Sequence, residues 1–380
     1  MRIAGDPHAI EASAWDALLE ASPAPTPFLR HAFLCALHDS GSAVAETGWT
    51  PCFATLERGD VLVAAAALYL KSHSYGEYVF DWAWADAWER AGRPYYPKLL
   101  GAVPFTPVPG SRLLAVDDDA RAALLAGIEQ FARAQALSSV HLLFIDEADR
   151  RAAEAQGWLE RSTVQFHWRN REHRPYADFD DFLAGLTRDK RRKIAQERRY
   201  VREAGVTMRA LAGAQITGAD WDFFYRCYQR TYREHRSTPY LTRDFFARMA
   251  RGMAEHWLLF IAERGDERLG CSLIALDPAC RVAYGRYWGA LAPVRCLHFE
   301  ACYYAPLEWC IAQGYLRFEG GAQGEHKMAR GLEPVRTFSS HWLAHPAFAD
   351  AVARFLEREG AGVEAYVDEL EQRTPFKRPA

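Results

Sequence analysis

The chain has 380 residues, 49% hydrophobic and 25% charged, which excludes a disordered, collagen-like or coiled-coil protein and suits two or three globular domains. With 46 basic and 49 acidic side chains the net charge is only −3, so no global pull on nucleic acid or acidic membranes exists and any anion site must come from local charge segregation. Lysines occur only at 71, 98, 190, 193, 327 and 377, the other basic residues being arginine, so each lysine stands out.

Ser22–Pro27 reads as a rigid extended lead-in to a helix over 28–38. Strands are expected at 49–57 and 61–70, joined by the turn Arg58-Gly59-Asp60. The alternation of Phe80, Trp82 and Trp84 predicts a further strand. Asp117-Asp118-Asp119 opens a helix to 136, its acids on the positive end. A buried strand at 139–145, a helix at 147–156 and a strand at 162–168 follow. The charged, irregular stretch 169–175 predicts a boundary between domains 1–170 and 171–380. Helices are expected at 179–204, at 221–236 and, capped by Thr242, up to 253. Then come strands at 257–263, 271–276 and 281–289, a helix at 298–313 interrupted at Pro306, a strand at 315–320 and a helix at 347–373. The two halves share an order of elements, which predicts an α+β fold of two tandem mixed α/β domains, each a mostly antiparallel sheet flanked by helices. Neither a dinucleotide-binding glycine fingerprint nor a P-loop is present.

Residues 1–20 carry four acids and no apolar core, and the longest apolar run, 61–70, is about half a membrane span. The eight cysteines show no C-x-x-C pair. A cytoplasmic protein with reduced thiols and no membrane span is therefore expected.

Four segments carry chemistry. In the basic helix, 188–202 sets eight cations, among them Arg191, Arg192, Lys193 and Arg198, against two acids, above an apolar stripe of Phe179, Leu183, Leu186, Ile194 and Val201. Such a face suits polyphosphate or an RNA backbone. It equally suits a solvated face answering an acidic neighbour, for which 350–371, with seven acids and two cations, qualifies. The second segment, 318–327, runs a strand into a loop with Gly320, Gly321 and Gly324 followed by Glu325, His326 and Lys327. Glycines admit a ligand close to the backbone, and successive N–H groups can form an anion nest. Glu325 or His326 is a candidate general base and Lys327 a candidate anion holder.

In the third segment, 295–304, His298 and Glu300 at a helix start are acid/base candidates, or else a core histidine and a first-turn dipole partner. His298 and Cys302 lack the second ligand pair that zinc needs, so no metal is expected. In the fourth, 75–89, four acids and no cation lie among aromatics. Tyr78, Asp81, Trp82 and Trp84 there suit an amine-bearing or glycan-like substrate, or the aromatic core of a strand. His167, within the strand 162–168, is either a further substrate contact or a hydrogen-bonded core histidine.

Together these segments resemble the Fem-like (FemAB-related) N-acyltransferase family, bacterial cytosolic proteins linked to peptidoglycan biosynthesis. The resemblance is carried by YGEYVFDWAWADAWERAGRPYYPKLLGAVPFTPVPGSRLL at 75–114, QFHWRNR at 165–171, DKRRKIAQERR at 189–199, and LHFEACYY with GGAQGEHKMARG within 297–331. It implies two domains of the GNAT acetyltransferase type and transfer of an activated acyl or aminoacyl group to a primary amine, with a peptidoglycan precursor as a possible acceptor. GNAT acetyltransferases seat the donor pyrophosphate on an Arg/Gln-x-x-Gly-x-Gly/Ala loop. Here 289–296 reads Gly-Ala-Leu-Ala-Pro-Val-Arg-Cys, with a proline and without that spacing. Fem ligases similarly lack it and use aminoacyl-tRNA. The resemblance thus favours aminoacyl-tRNA over acyl-CoA as donor, with tRNA as partner on the basic helix and Arg295. On chemical grounds, backbone N–H groups at Gly320, Gly321 and Gly324 would stabilise the oxyanion of the tetrahedral intermediate, with Lys327 holding an anion of the donor. Two rival readings stay open: an acyl-CoA-dependent N-acetyltransferase of a small amine, and a non-catalytic protein recognising a muropeptide or RNA.

Overall fold

Two sheets meet in the first half of the chain because its strands bend from one into the other. In the computed structural model, which describes residues 1–322 and 324–377, the expected strand 49–57 divides at Cys52 into Trp49–Pro51 and Phe53–Arg58. Its partner divides at Ala67 into Val61–Ala66 and Leu68–Lys71. The turn at Gly59 closes the hairpin, with Arg58 opposite Val61. The chain packs as two units, Met1–Thr163 with Arg336–Tyr366, and Val164–Val335 with the chain from Val367. The sequence boundary near 170 lies close to the first crossing, but 336–366 packs with the first unit rather than the second. That return has no local signal, because it depends on pairing with strands about 200 residues away.

The first unit holds a four-stranded antiparallel sheet, in the order Arg2–Ala4, Phe53–Arg58, Val61–Ala66, Leu114–Ala115. Beside it run Trp49–Pro51, Leu68–Lys71, Lys98–Gly101, Ser139–Ile145 and the end of Glu333–Leu343, of which only Lys98–Gly101 and Ser139–Ile145 pair parallel. Helix Asp118–Ala134 starts where expected, Asp117 accepting the Ala120 N–H, and its apolar face enters the main core through Leu124, Leu125 and Ile128.

The strand expected at Phe80, Trp82 and Trp84 is instead a helix, Trp82–Arg90. Alanines at 83, 85 and 87 favour that state. Trp84 and Trp88, four apart, then share one face and pack on Leu343, Val352 and Leu356.

In the second unit the sheet order is Thr207–Ala212, Trp257–Arg264, Glu267–Asp277, Val282–Ala290, Arg317–Ala322 and the end of Leu159–Arg169. All neighbours are antiparallel except Val282–Ala290 with Arg317–Ala322. The helix expected at 179–204 is broken into Phe179–Gly185 and Arg188–Glu203. Leu186 and Thr187 are extended there, and the Thr187 N–H bonds to the Pro375 carbonyl. No helix of the described residues is long and apolar enough to cross a membrane.

Candidate active site

The parallel strands of the second unit pair over Val282–Arg317, Ala283–Phe318 and Tyr284–Glu319. Past that point Val282–Ala290 bulges: Ile274 faces Gly285 and Leu273 faces Tyr287, leaving Arg286 as the extra residue. A cavity of about 150 Å³ opens here, lined by Gly285–Trp288 on one strand and by Phe318 and Gly320 on the other. His298, Cys302, Tyr303 and Lys327 complete its wall.

The helix over this cavity is built in three pieces: Leu297–Phe299, a wide π turn Glu300–Tyr304, and Ala305–Ala312. In the wide turn the Ala305 N–H bonds back to the Glu300 carbonyl. Pro306 then has no N–H to return to the wide turn, and the Ala301 carbonyl accepts from the Ser272 hydroxyl instead. The π turn brings His298 and Tyr303, five residues apart, onto one face with their rings 5.7 Å apart.

His326 meets them from the loop. Its Nε2 lies 3.3 Å from the Tyr303 hydroxyl, and its ring is 6.4 Å from that of His298. The approach needs Gly324, which has φ +95°, and a Cβ there would stand 2.6 Å from the His326 ring. Burial, then the charges of Arg330, Lys327 and Lys193, lowers the His326 pKa. Burial and His326 bring His298 down to about 4. Both imidazoles are therefore neutral at neutral pH and have a lone pair to offer.

Lys327 is buried, and burial brings its amine down to about 8. Its Nζ donates to the carbonyls of Gly320 (2.7 Å) and Gly321 (3.2 Å). These two peptides turn carbonyls toward a cation, not the N–H groups that an anion nest requires. A side chain at Gly320 would strike Leu332 at 2.5 Å and the Phe166 carbonyl at 2.8 Å, so that glycine serves close packing.

Other expected site residues lie elsewhere. Glu300 is held by Arg198 in a bidentate pair at 3.0–3.2 Å, which opposes the upward pull of burial on its carboxyl. Both line a separate cavity of about 440 Å³ with Arg202, Glu308 and Trp309. Arg198 also donates to Glu308 at 2.6 Å. The basic helix therefore finds its acidic partners at Glu300 and Glu308. In the segment 350–371, Glu359 and Glu364 pair with Arg161 and Arg336, and Glu369 with Arg373. Glu325 is exposed and paired with Arg373 at 3.4 Å. Arg191 donates to the Leu186 carbonyl at 2.7 Å, bridging the helix break. Arg192 and Lys193 are exposed, and Arg295 lies 3.8 Å over the Tyr200 ring.

His167 is buried in the second unit, opposite Glu319 in the ladder, with Nε2 3.1 Å from Gln165 and 3.9 Å from the Glu319 carboxylate. Burial takes the imidazole down to about 3 and the carboxyl up to about 7. His167 therefore belongs to a buried polar row rather than to an open recess. Glu319 escaped the sequence reading because nothing local marks a buried acid.

Tyr78, Asp81, Trp82 and Trp84 lie in the first unit. Tyr78 is half-buried at φ 65°, Trp84 is buried and Trp82 is exposed. Asp81 belongs to a cluster sealed from water: Lys98 Nζ donates to Ser74 (2.8 Å), Glu77 (2.8 Å) and Asp81 (2.5 Å). Burial alone would raise the Asp81 carboxyl, but the ion pair with Lys98 outweighs it and holds it low. An ionised Asp81 can only accept, so the Tyr95 hydroxyl donates to it at 2.6 Å. His141 Nε2 lies 2.8 Å from the Ser139 hydroxyl and 3.1 Å from the Tyr95 oxygen, and its Nδ1 is 2.7 Å from His341 Nδ1, so the two histidines extend the buried network.

No group of three or more His, Cys, Asp or Glu among the described residues is placed to hold a metal ion. The parted parallel strands, the bulge and the connecting helix make the second unit GNAT-like, and two α+β units in tandem set the class of the chain. The chain belongs to the FemAB-like family, described as peptidoglycan biosynthesis/recognition, whose pattern spans residues 6–378. Among solved structures it is similar to FemX, at 12% identity and TM-score 0.55 over 93% of this chain and 100% of that one. The C-terminal domain of a putative lysylphosphatidylglycerol synthetase from Agrobacterium fabrum (8% identity, TM-score 0.55, 91% and 95% covered) is also similar. So is L-PGS from Bacillus licheniformis (11%, TM-score 0.54, 94% and 99%). At these identities the likeness is one of fold. No curated protein matches the sequence.

Proposed function

We propose that the chain is an N-acyltransferase that moves an activated acyl or aminoacyl group, from aminoacyl-tRNA in preference to acyl-CoA, to a primary amine of a peptidoglycan precursor. The observation that carries this reading is the convergence of His298, Tyr303 and Lys327 on the cavity between the parted strands, with His326 set on the Tyr303 hydroxyl. About 150 Å³ is below the usual range for a whole small-molecule site, so it suits the transferred group while the bulk of the donor stays outside.

A primary amine is a nucleophile only after losing a proton, which at neutral pH needs a base within reach. In the reading proposed, the amine nitrogen attacks the ester carbonyl, the C–N bond forms and the ester C–O bond breaks. The amine's first proton leaves to solvent by way of His326, and after attack the proton of the ammonium so formed passes to the Tyr303 oxygen as the tyrosine's own proton moves to His326 Nε2. It then returns to the departing 3′ oxygen. Glu300 and Glu325 take no part, one being locked to Arg198 and the other paired with Arg373.

The preference for tRNA rests on two features. In the loop 289–296 the N–H groups of Leu291 and Ala292 both bond to the Leu269 carbonyl (2.7 and 3.3 Å), so they are not offered to a pyrophosphate. On the other side, Glu197 of the basic helix holds Arg330, which donates to the His326 carbonyl, so that helix, with exposed Lys193, borders the reacting groups.

The test is to incubate the protein with acetyl-CoA, a charged tRNA pool and a nucleotide-linked muropeptide, and to follow the mass of the acceptor. An added amino-acid residue supports the proposal. An added acetyl group assigns CoA chemistry instead, and an unchanged acceptor with saturable binding assigns recognition alone.

A further inference from the structure

The first unit displays a string of rings that the transfer chemistry leaves unused. Tyr75, Phe80 and Trp82 are 58%, 49% and 39% exposed, and among the described residues no other Phe, Tyr or Trp is exposed. They are contiguous. Trp82 lies 5.2 Å from Tyr75 and stacks on Phe80 at 6.5 Å with 18° between the planes, while His73 touches Tyr75 at 5.3 Å. Together they leave on the order of 300 Å² of ring surface in water, a size at which an exposed patch commonly marks a binding surface.

The platform is held from beneath. Glu77 and Asp81, from the same short segment, are clamped on buried Lys98 at 2.8 and 2.5 Å. The Phe80 carbonyl accepts from Arg161 at 2.7 Å, and that guanidinium is neutralised by Glu359. These rings are thus fixed outward rather than frayed out of a core.

Charge selects the occupant. Residues 72–89 contain no cation; exposed Asp86 stands one helical turn from Trp82, and Arg90, the next cation, two turns away. A nucleic-acid strand stacks its bases on such rings but also needs cations along its phosphates. An anionic lipid surface is disfavoured for the same reason. The near-parallel Phe80 and Trp82 rings, with Tyr75 inclined to Trp82 at 61° and a carboxylate acceptor one turn away, match a pyranose, whose C–H face packs on the rings while hydroxyl and acetamido N–H groups donate to the acid. We propose that Tyr75, Phe80 and Trp82, with Asp86, form a platform that binds an uncharged N-acetylhexosamine ring. Binding there requires no transfer, so it stands separately from the activity proposed above.

Calorimetric titration of the full chain with N-acetylchitotetraose tests this. Saturable binding is expected, weakened about tenfold or more by Trp82→Ala and by Tyr75→Ala and roughly threefold by Asp86→Asn, with the thermal midpoint within about 2 °C of the parent. The midpoint guards against a folding defect. The proposal is overturned by absence of saturation up to about 10 mM. It is equally overturned if the substitutions leave sugar binding unchanged, or if they remove binding to single-stranded RNA or to phosphatidylglycerol vesicles instead. A protein inactive in transfer that still binds the tetramer through these rings leaves it standing.

Discussion

Arg330 and Glu197 form an ion pair almost wholly out of water, with the guanidinium Nη2 3.0 Å from both carboxylate oxygens. Arg330 comes from the segment that carries His326, and Glu197 from the basic helix. The same guanidinium donates to the His326 carbonyl and lies 3.5 Å over the Phe299 ring, while the Tyr304 hydroxyl donates to Glu197. The position of the imidazole is thus set by a helix that sequence reading takes either for a polyanion-binding face or for a solvated one.

Removing one partner of such a pair strands the other without compensation. Arg330→Met is expected to cost about 3–5 kcal/mol, and Arg330→Met with Glu197→Gln less than the sum of the two. Urea unfolding of both single variants and the double variant checks this; strict additivity would show that the pair does not couple the segments.

Turnover should depend on the imidazoles but not on the acids beside them in sequence. His326→Ala and His298→Ala are each expected to lower kcat about 100-fold, the scale of a lost proton-transfer group, and Glu325→Gln to change it little. Because burial and nearby cations lower the His326 pKa, the parent should lose activity as pH falls through a value below 6.5. That acidic limb should vanish in His326→Ala. A limb that persists in this variant would assign the base elsewhere.

Salt dependence separates structural from exposed cations on the basic helix. Exposed Arg192 and Lys193 are expected to contribute to RNA binding, so changing both to Gln should reduce the slope of log K against log salt by about 1.4, near 0.7 per lost single-strand contact. Arg198→Gln should instead lower the thermal midpoint, since that residue is already engaged by Glu300 and Glu308. Binding measured between 50 and 200 mM salt, with melting curves alongside, distinguishes these outcomes.

Two buried groups give stability opposite slopes in pH. His141 is held by burial near 3 in the folded chain against an ordinary 6.5, so the unfolded state binds the extra proton between those values. Its contribution is intact above 6.5 and falls by about 1.4 kcal/mol per unit as pH drops. Glu319, pushed by burial to about 7 from 4.5, does the reverse: the folded state binds the extra proton, and stability falls as pH rises through that window. Glu319→Gln should therefore gain on the parent by about 3 kcal/mol between pH 4.5 and 7. Denaturant midpoints at half-unit pH steps would show a flat difference if the carboxyl titrates normally.

What could be read from the sequence was local. Asp117 and Thr242 cap the helices assigned to them, because a cap is decided within four residues. The dense G-x-Q-G-E-H-K run marks the segment that carries His326 to Tyr303 and Lys327 to the cavity wall, and three of the scarce lysines, Lys71, Lys98 and Lys327, are buried. The helix Trp82–Arg90 was misread because alternating tryptophan and alanine mimics the period of a strand. The strand Glu333–Leu343 escaped notice because Pro334 and two serines interrupt its pattern, and it is fixed by pairing with Ser139–Ile145. The Arg198–Glu300 pair joins positions 102 apart, a distance no spacing rule reaches.

The π turn at Glu300–Tyr304 acts as a phase shifter in the helix. In a regular helix residues five apart point about 140° away from each other, so His298 and Tyr303 would diverge. One extra residue in the turn lets Tyr303 face the cavity while Glu300 and Tyr304 reach Arg198 and Glu197 on the far side. A chain with the same motif but one residue fewer here would keep every letter of the apparent site and yet misdirect its hydroxyl. The length of this segment, as much as its composition, is therefore a criterion for which sequences share the chemistry.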